Sequence, residues 1–432
     1  MHKTNLPSII SSTYNEVIQS CLIYNEISFL GLRNGFIEVF EYRINTKLGE
    51  IINLFDNEPK KTEKELKFNP HSHQIISIQL IKELLEENKK QLIIFIQSRG
   101  GIIFIINYDI TKNNYELLIK YDTTIETFTG FFITNKIYRK ELESQIKNNL
   151  NNESIYKIMY PLEKNNEIDI LFYNYNDKEE KTNNNNNLSN INLIQKLNQN
   201  FDYIIDEDGQ KIVDVYKDME SKILQIIQLS KEDNTNIGNY LVMVYEKTLI
   251  FILDEKMNYV AHYSLTFSLK LHESIINIFS FKFKNNYYIC VGLFAKNLII
   301  LKFDLNQKVL NFFENIQNIC PEIKYGISCF AVGTVKNNDL FIDEDLIQSR
   351  FLLFVGTYSK RVKLFEILDE SDKEEKKENN NNKINDDKKE IIKFNDLGNL
   401  IVDNSGAINQ IHFNEGNLFV VCDRKILYIY AI

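Results

Sequence analysis

Short apolar runs, each closed by a tight polar turn, recur along the whole chain. The pattern is plainest in SGAINQIHFNEGNLFVVCDRKILYIYAI (405–432), which predicts strands over 407–413, 417–422 and 425–430. Asn414-Glu415-Gly416 and Asp423-Arg424 form the turns; Gly416 supplies the positive φ that a short hairpin needs. A three-stranded meander that is apolar on both faces is not stable alone. It has to be one copy of a repeated unit.

Six further copies follow the same rhythm. The first has strands 17–23, 27–32 and 36–42 around the turn Arg33-Asn34-Gly35, a strong hairpin signal. The second has His73 ahead of strand 75–81, a polar loop at 82–90, then strands 92–97 and 102–108 closed by Asp109. The third is the poorest, with strands 124–133, 156–160 and 168–173 and a polar, helical insertion at 135–152. The fourth has strands 222–229, 240–245 and 248–253, closed by Asp254. In the fifth, His272 precedes strands 275–281, 287–293 and 298–303, closed by Asp304. The sixth has strands 327–332, 351–357 and 361–367 with a loop across 336–350, and the terminal stretch is the seventh.

Apolar runs between the copies supply fourth, outer strands at 50–55, 115–121, 211–216, 259–265, 308–313 and 390–394. The seventh copy has none after it, whereas 6–12 (LPSIISS) precedes the first copy with no other role. The expected fold is therefore all-β: a seven-bladed β-propeller spanning 1–432, its ring closed by the N-terminal strand. Seven blades need roughly 300 residues. The surplus lies in low-complexity insertions at 174–192 and 369–389 and a shorter charged one at 56–68, which bury too little apolar surface to order themselves.

Composition agrees with strands: 44% of residues are apolar, with 29 Phe and 23 Tyr but no Trp. The net charge of −9, with Lys and Glu interleaved, argues against direct nucleic-acid binding, which needs a basic footprint. Cys21, Cys290, Cys320, Cys329 and Cys422 are odd in number and never in CxxC spacing, which points to a reducing compartment rather than disulfides or zinc. Residues 1–12 lack the apolar core of a signal peptide, and no run approaches the ~18 apolar residues of a membrane span. The expectation is a nuclear or cytoplasmic protein, not secreted, with no membrane contact and no homo-oligomer.

Nothing argues for an enzyme, a metal or a cofactor. His71 and His73 have no third ligand at suitable spacing. His412, inside the first strand of the last copy, reads as a core or channel histidine. Ser98-Arg99-Gly100-Gly101 lacks the Lys-Ser/Thr of a phosphate loop and reads as a hairpin turn. Glu86-Glu87 and Glu374-Glu375 lie on polar loops, where solvated charge is the default, and no G-x-S-x-G or H-E-x-x-H is present. A metal-dependent propeller hydrolase would need convergent His and carboxylates near the inner strands, and only His412 stands there.

The repeat resembles the WD-repeat propellers over nearly the whole chain. Ser72-His73 and Leu271-His272 stand where that family has Gly-His, and Tyr108-Asp109, Leu253-Asp254 and Phe303-Asp304 where it has Trp-Asp. Phe40-Glu41 and Phe365-Glu366 drift further. By that resemblance His73, Asp109, Asp254, His272 and Asp304 are structural residues that fix blade geometry. Three stretches are similar in order and spacing to the ASTRA-associated, or G-protein β-subunit-like, WD-repeat proteins. They are VIQSCLIYNEISFLGLRNGFIEVFEY (17–42), ILQIIQLSKEDNTNIGNYLVMVYEKTLIFILD (223–254) and RFLLFVGTYSKRVKLFEIL (350–368) with the terminal blade. The resemblance implies a non-catalytic scaffold in a multi-subunit chromatin-remodelling assembly, or in a cochaperone assembly that matures phosphatidylinositol-3-kinase-related kinases. A WD-repeat adaptor in trafficking, ubiquitin ligation or RNA processing would share every feature. Only strand positions match, so no binding residue is carried over.

Overall fold

The structure is a computed structural model that describes residues 10–13, 16–42, 46–51, 54–55, 73–86, 89–127, 130–137, 154–162, 167–175, 191–201, 223–229, 240–245, 247–254, 256–284, 286–295, 297–316, 326–336, 349–359, 361–369, 392–401, 407–414, 416–422 and 426–431. The strands form seven four-stranded antiparallel sheets, the blades of a β-propeller. The first blade is Ile18–Tyr24, Ile27–Leu32, Ile37–Glu41 and Thr46–Ile51; the second is Ile75–Glu86, Lys89–Ser98, Ile102–Asp109 and Asn114–Asp122. The third is Phe132–Ile137, Ser154–Pro161, Glu167–Tyr175 and Ile191–Asn200; the fourth is Ile223–Gln228, Leu241–Tyr245, Leu249–Leu253 and Tyr259–Ser264. The fifth is Ile275–Phe283, Asn286–Leu293, Leu298–Asp304 and Val309–Asn315; the sixth is Ile327–Lys336, Ser349–Thr357, Arg361–Asp369 and Ile392–Ile401. The seventh takes Ile408–Asn414, Asn417–Cys422 and Ile426–Ala431 from the end of the chain and Ile10–Thr13 from its beginning. That closing strand pairs antiparallel from Ile10↔Ile429 to Thr13↔Ile426. It lies slightly later than the predicted 6–12, of which 6–9 fall outside the described residues.

The inner strands follow the hydrophobic pattern closely, and the outer and polar segments do not. The first outer strand is Thr46–Ile51, not 50–55. Only Ile51 in it is buried, so its apolar signal is weak; Leu54 and Phe55, which drew the expectation forward, form a turn, with Leu54 buried. Residues 82–90 are not a loop: the hairpin continues to Glu86↔Lys89, because backbone pairing extends past the buried part of the blade. In the third blade, 123–127 is a connection rather than strand, tied by Thr123 Oγ1 to the Gly101 carbonyl at 2.8 Å, and the strand begins at Phe132. Its outer strand is the Asn- and Gln-rich Ile191–Asn200, paired from Tyr175↔Ile191 to Glu167↔Asn200, in place of 211–216. Residues 211–216, 56–68, 138–153, 176–190 and 370–391 lie outside the described residues.

One compact unit holds residues 16–289 and 301–312, with the first four blades entire; a second holds 1–15, 290–300 and 313–432, with the sixth and seventh. In both, the core lies in layers between neighbouring sheets. Phe29, Val39, Ile75, Ile94 and Phe104 fill the layer between the first two blades, and Cys329, Phe354, Leu364, Ile408 and Val420 that between the last two.

A repeated joint registers these layers. In the first, second, fourth, sixth and seventh blades the leading isoleucine of the first strand (Ile18, Ile75, Ile223, Ile327, Ile408) is followed at once by a register shift. Three of these isoleucines press on a glycine, the next-to-last residue of the preceding blade's second strand. A Cβ on Gly31 would lie 2.6 Å from Ile75, one on Gly292 2.8 Å from Ile327, and one on Gly356 3.0 Å from Ile408. Glycine stands there because sheet must approach sheet. A polar tie reinforces the first joint, where Ser20 Oγ donates to the Ile75 carbonyl at 2.7 Å; farther along, Ser280 Oγ donates to the Gln228 carbonyl at 2.8 Å, between the first strands of the fifth and fourth blades.

Candidate functional site

In a four-stranded antiparallel meander, the turn between second and third strands and the exit from the fourth share one end, here the upper end. The turns between strands one and two and between three and four share the lower end. This assigns each predicted residue a place.

Asp109, Asp254 and Asp304 stand at the lower ends of their blades and shape the turn into the outer strand. Asp109 Oδ1 accepts from the backbone N–H of Thr111 and Lys112 at 2.9 and 3.0 Å. Asp304 Oδ1 does the same with Asn306 and Gln307 at 2.8 and 3.0 Å. Asp254 Oδ1 takes Lys256 and Asn258 N–H at 2.9 and 2.8 Å, and Asn258 Nδ2 donates to its Oδ2 at 2.9 Å. A carboxylate that collects backbone donors organises a turn. His73 and His272 precede first strands and so stand at the upper ends, away from those carboxylates. His73 is half-buried and stacks on Phe55 with ring centroids 4.2 Å apart, while His272 is exposed.

His412 lies in Ile408–Asn414 with its Nε2 3.3 Å from Gln410 Oε1, and burial of the imidazole holds its pKa down to about 4. Ser98–Gly101 is a turn closed by Gly101 N–H onto the Ser98 carbonyl at 3.1 Å. Cys21, Cys290, Cys329 and Cys422 are buried free thiols, and burial pushes Cys329 up to about 12. Among the described residues no three His, Cys, Asp or Glu side chains are grouped to hold a metal ion, and no helix is long and apolar enough to cross a membrane. His71, Cys320, Glu87 and Glu374-Glu375 fall outside the described residues.

What the upper ends display is aromatic. Phe36, Phe294 and Tyr358 project from turns between second and third strands, and Phe267 from the single-turn helix Leu265–Leu269 that follows an outer strand. Among the described residues the remaining exposed large apolar side chains, Leu117, Val309 and Phe312, lie on outer strands. Two of the upper aromatics stand on turns that both reach Gly326. Phe294 (67% exposed) heads a turn closed by the Leu293 N–H on the Asn297 carbonyl at 3.0 Å. Tyr358 (45% exposed) heads the equivalent turn of the next blade. There Thr357 Oγ1 donates to the Arg361 carbonyl at 3.0 Å and accepts from the Ser359 N–H at 3.3 Å.

Gly326 joins the two turns. Its carbonyl accepts the Tyr358 N–H at 3.2 Å, and a Cβ on it would lie 2.3 Å from the Phe294 carbonyl oxygen and 3.1 Å from the Tyr358 ring. The backbones of the two turns thus meet at Gly326, and each turn carries an exposed ring. Sequence reasoning placed neither ring at a site. Each falls one residue past a predicted strand, at 287–293 and 351–357. The available signal was the shared turn pattern Phe-Ala-Lys-Asn and Tyr-Ser-Lys-Arg.

Seven antiparallel four-stranded blades, the last completed by the N-terminal strand, define a seven-bladed β-propeller. The chain is similar over 99% of its length to the whole of Sqt1 from Saccharomyces cerevisiae, with a TM-score of 0.52 and 8% identity. Over 98% of its length it is similar to 29% of the Raptor chain from Chaetomium thermophilum, with a TM-score of 0.51 and 10% identity. At these identities the likeness is one of fold. No protein-family model matches the sequence, and no curated protein does.

Proposed function

We propose that the protein is a non-catalytic scaffold that uses the upper ends of its blades to hold other proteins. The observation that carries this is a pair of exposed aromatics, Phe294 and Tyr358, on two turns whose backbones meet at Gly326. Aromatic residues are enriched at protein interfaces, where they bury large area. The finer proposal is a subunit of an ASTRA-like chromatin-remodelling or kinase-cochaperone assembly, acting in the nucleus or cytoplasm. It is supported by the similarity of residues 17–42, 223–254 and 350–368 to that family.

Affinity purification of the tagged full chain, read by mass spectrometry, tests both levels. Recovery of remodelling or kinase-cochaperone subunits is expected. Reproducible enrichment of coat, ubiquitin-ligase or RNA-processing components instead would replace the finer assignment and keep the scaffold. Recovery of no partner above background would overturn the scaffold itself.

A further inference from the structure

The seam that closes the seventh blade joins unequal strands. On one side stands Ile426–Ala431, in which Leu427, Tyr428, Ile429 and Tyr430 are all buried. On the other stands Ile10–Thr13, four residues reading Ile-Ser-Ser-Thr, paired from Ile10↔Ile429 to Thr13↔Ile426. The outer strands of the first, second, third, fourth and sixth blades pair over five, eight, nine, five and nine residues. In each of the first six blades the outer strand also comes next along the chain after the strand it pairs with, so a frayed strand is returned by its own connection. No turn joins Ile10–Thr13 to Ile426–Ala431, which lie at opposite ends of the sequence. The closing strand is thus held by few backbone bonds and no hairpin, on an edge whose apolar residues favour pairing.

We infer that Ile426–Ala431 is a strand-addition site: its resident strand is exchangeable, and its outside occupant is an uncharged, extended segment of a partner protein. The inference rests on the scaffold role proposed above but uses a different part of the molecule from the two exposed rings. In strand addition backbone pairing supplies the affinity, and the side chains opposite decide what fits. Here they are Leu427, Tyr428, Ile429 and Tyr430, withdrawn from water, so a Glu or Lys set against them would be desolvated without compensation. The resident Ile-Ser-Ser-Thr, uncharged and with two β-branched residues, is the class of sequence that the edge already accepts. A partner segment can pair along all six residues of the edge, against the four described for the resident strand.

Hydrogen exchange of the full chain and capture of a biotinylated synthetic peptide of residues 6–16 by the full chain provide the test. Amides of residues 10–13 should exchange at least about tenfold faster than those of Asn114–Asp122, the outer strand of the second blade. The full chain should capture the peptide. Capture should weaken about tenfold or more when the peptide carries Ser11→Pro and Ser12→Pro, which remove a backbone donor from each edge of the strand. It should weaken several-fold with Ile10→Glu. The Phe294→Ala/Tyr358→Ala protein should capture the peptide as wild type does. Equal protection of residues 10–13 and Asn114–Asp122, no capture, or capture indifferent to the prolines or to the glutamate would each overturn the inference. So would loss of capture by the Phe294→Ala/Tyr358→Ala protein, which would put the peptide on the rings. If the tagged protein recovers partners while the peptide is not captured, the scaffold role survives and only strand addition is lost.

Discussion

At Gly31 a single missing carbon sets the distance between two sheets. A methyl group there would lie 2.2 Å from Ser20 Oγ and 2.6 Å from Ile75, which is itself fully buried and accepts the Ser20 hydroxyl at its carbonyl. Gly31→Ala is expected to destabilise the protein by about 2 kcal/mol through overpacking and loss of that hydrogen bond. Chemical denaturation measures this, and a gain in stability from reduced chain entropy would contradict it. His412 offers a pH handle. Its folded pKa of about 4 lies below the ordinary histidine value, so the unfolded chain takes up the proton first. The stability it contributes is complete above about pH 6.5 and is lost as pH falls through about 4. Between about pH 7 and pH 4 the wild type should lose on the order of 2 kcal/mol more than His412→Gln. Equal losses would show that the imidazole is not desolvated in the folded state.

At the scale of strands and turns, apolar runs located the elements that are buried on both faces. Ile27–Leu32 and Asn417–Cys422 stand at the predicted bounds, since every residue there but Asn417 is buried. Outer strands escaped the same logic. Ile191–Asn200 is held by backbone pairing to Glu167–Tyr175, which Asn and Gln satisfy as well as Ile does, so hydropathy carried no signal. The glycine joint was legible but went unnoticed: LGLRNG, VGLFAKN and VGTYSKR align once the second strands are superimposed. The exposed aromatics were less so. Phe294 and Tyr358 differ from core aromatics only in standing one residue beyond the last sheet pair, a distinction that needs strand ends known to the residue. The closing strand gives the clearest prediction at this scale. Deleting residues 1–13 leaves Ile426–Ala431 as an open edge, and Tm should fall by at least about 5 °C with increased aggregation. An unchanged Tm would mean that the pairing contributes nothing to the fold.

For the whole molecule, the repeat period predicted both architecture and blade number, because seven meanders can bury their two-sided strands only by packing sheet on sheet. Function was legible only as a class. A propeller's interior is determined by packing, whereas its contacts depend on a few turn residues that packing leaves unspecified. The central claim is that the upper-end rings are where partners are held. The direct measurement compares partners recovered with tagged wild type, with Phe294→Ala/Tyr358→Ala, and with Val309→Ala/Phe312→Ala, whose exposed side chains lie on an outer strand. Both variants should keep Tm within about 2 °C of wild type, as surface truncations do. The account predicts that the first variant loses the partners and the second retains them. Full retention by the first, or equal loss from both, would contradict it.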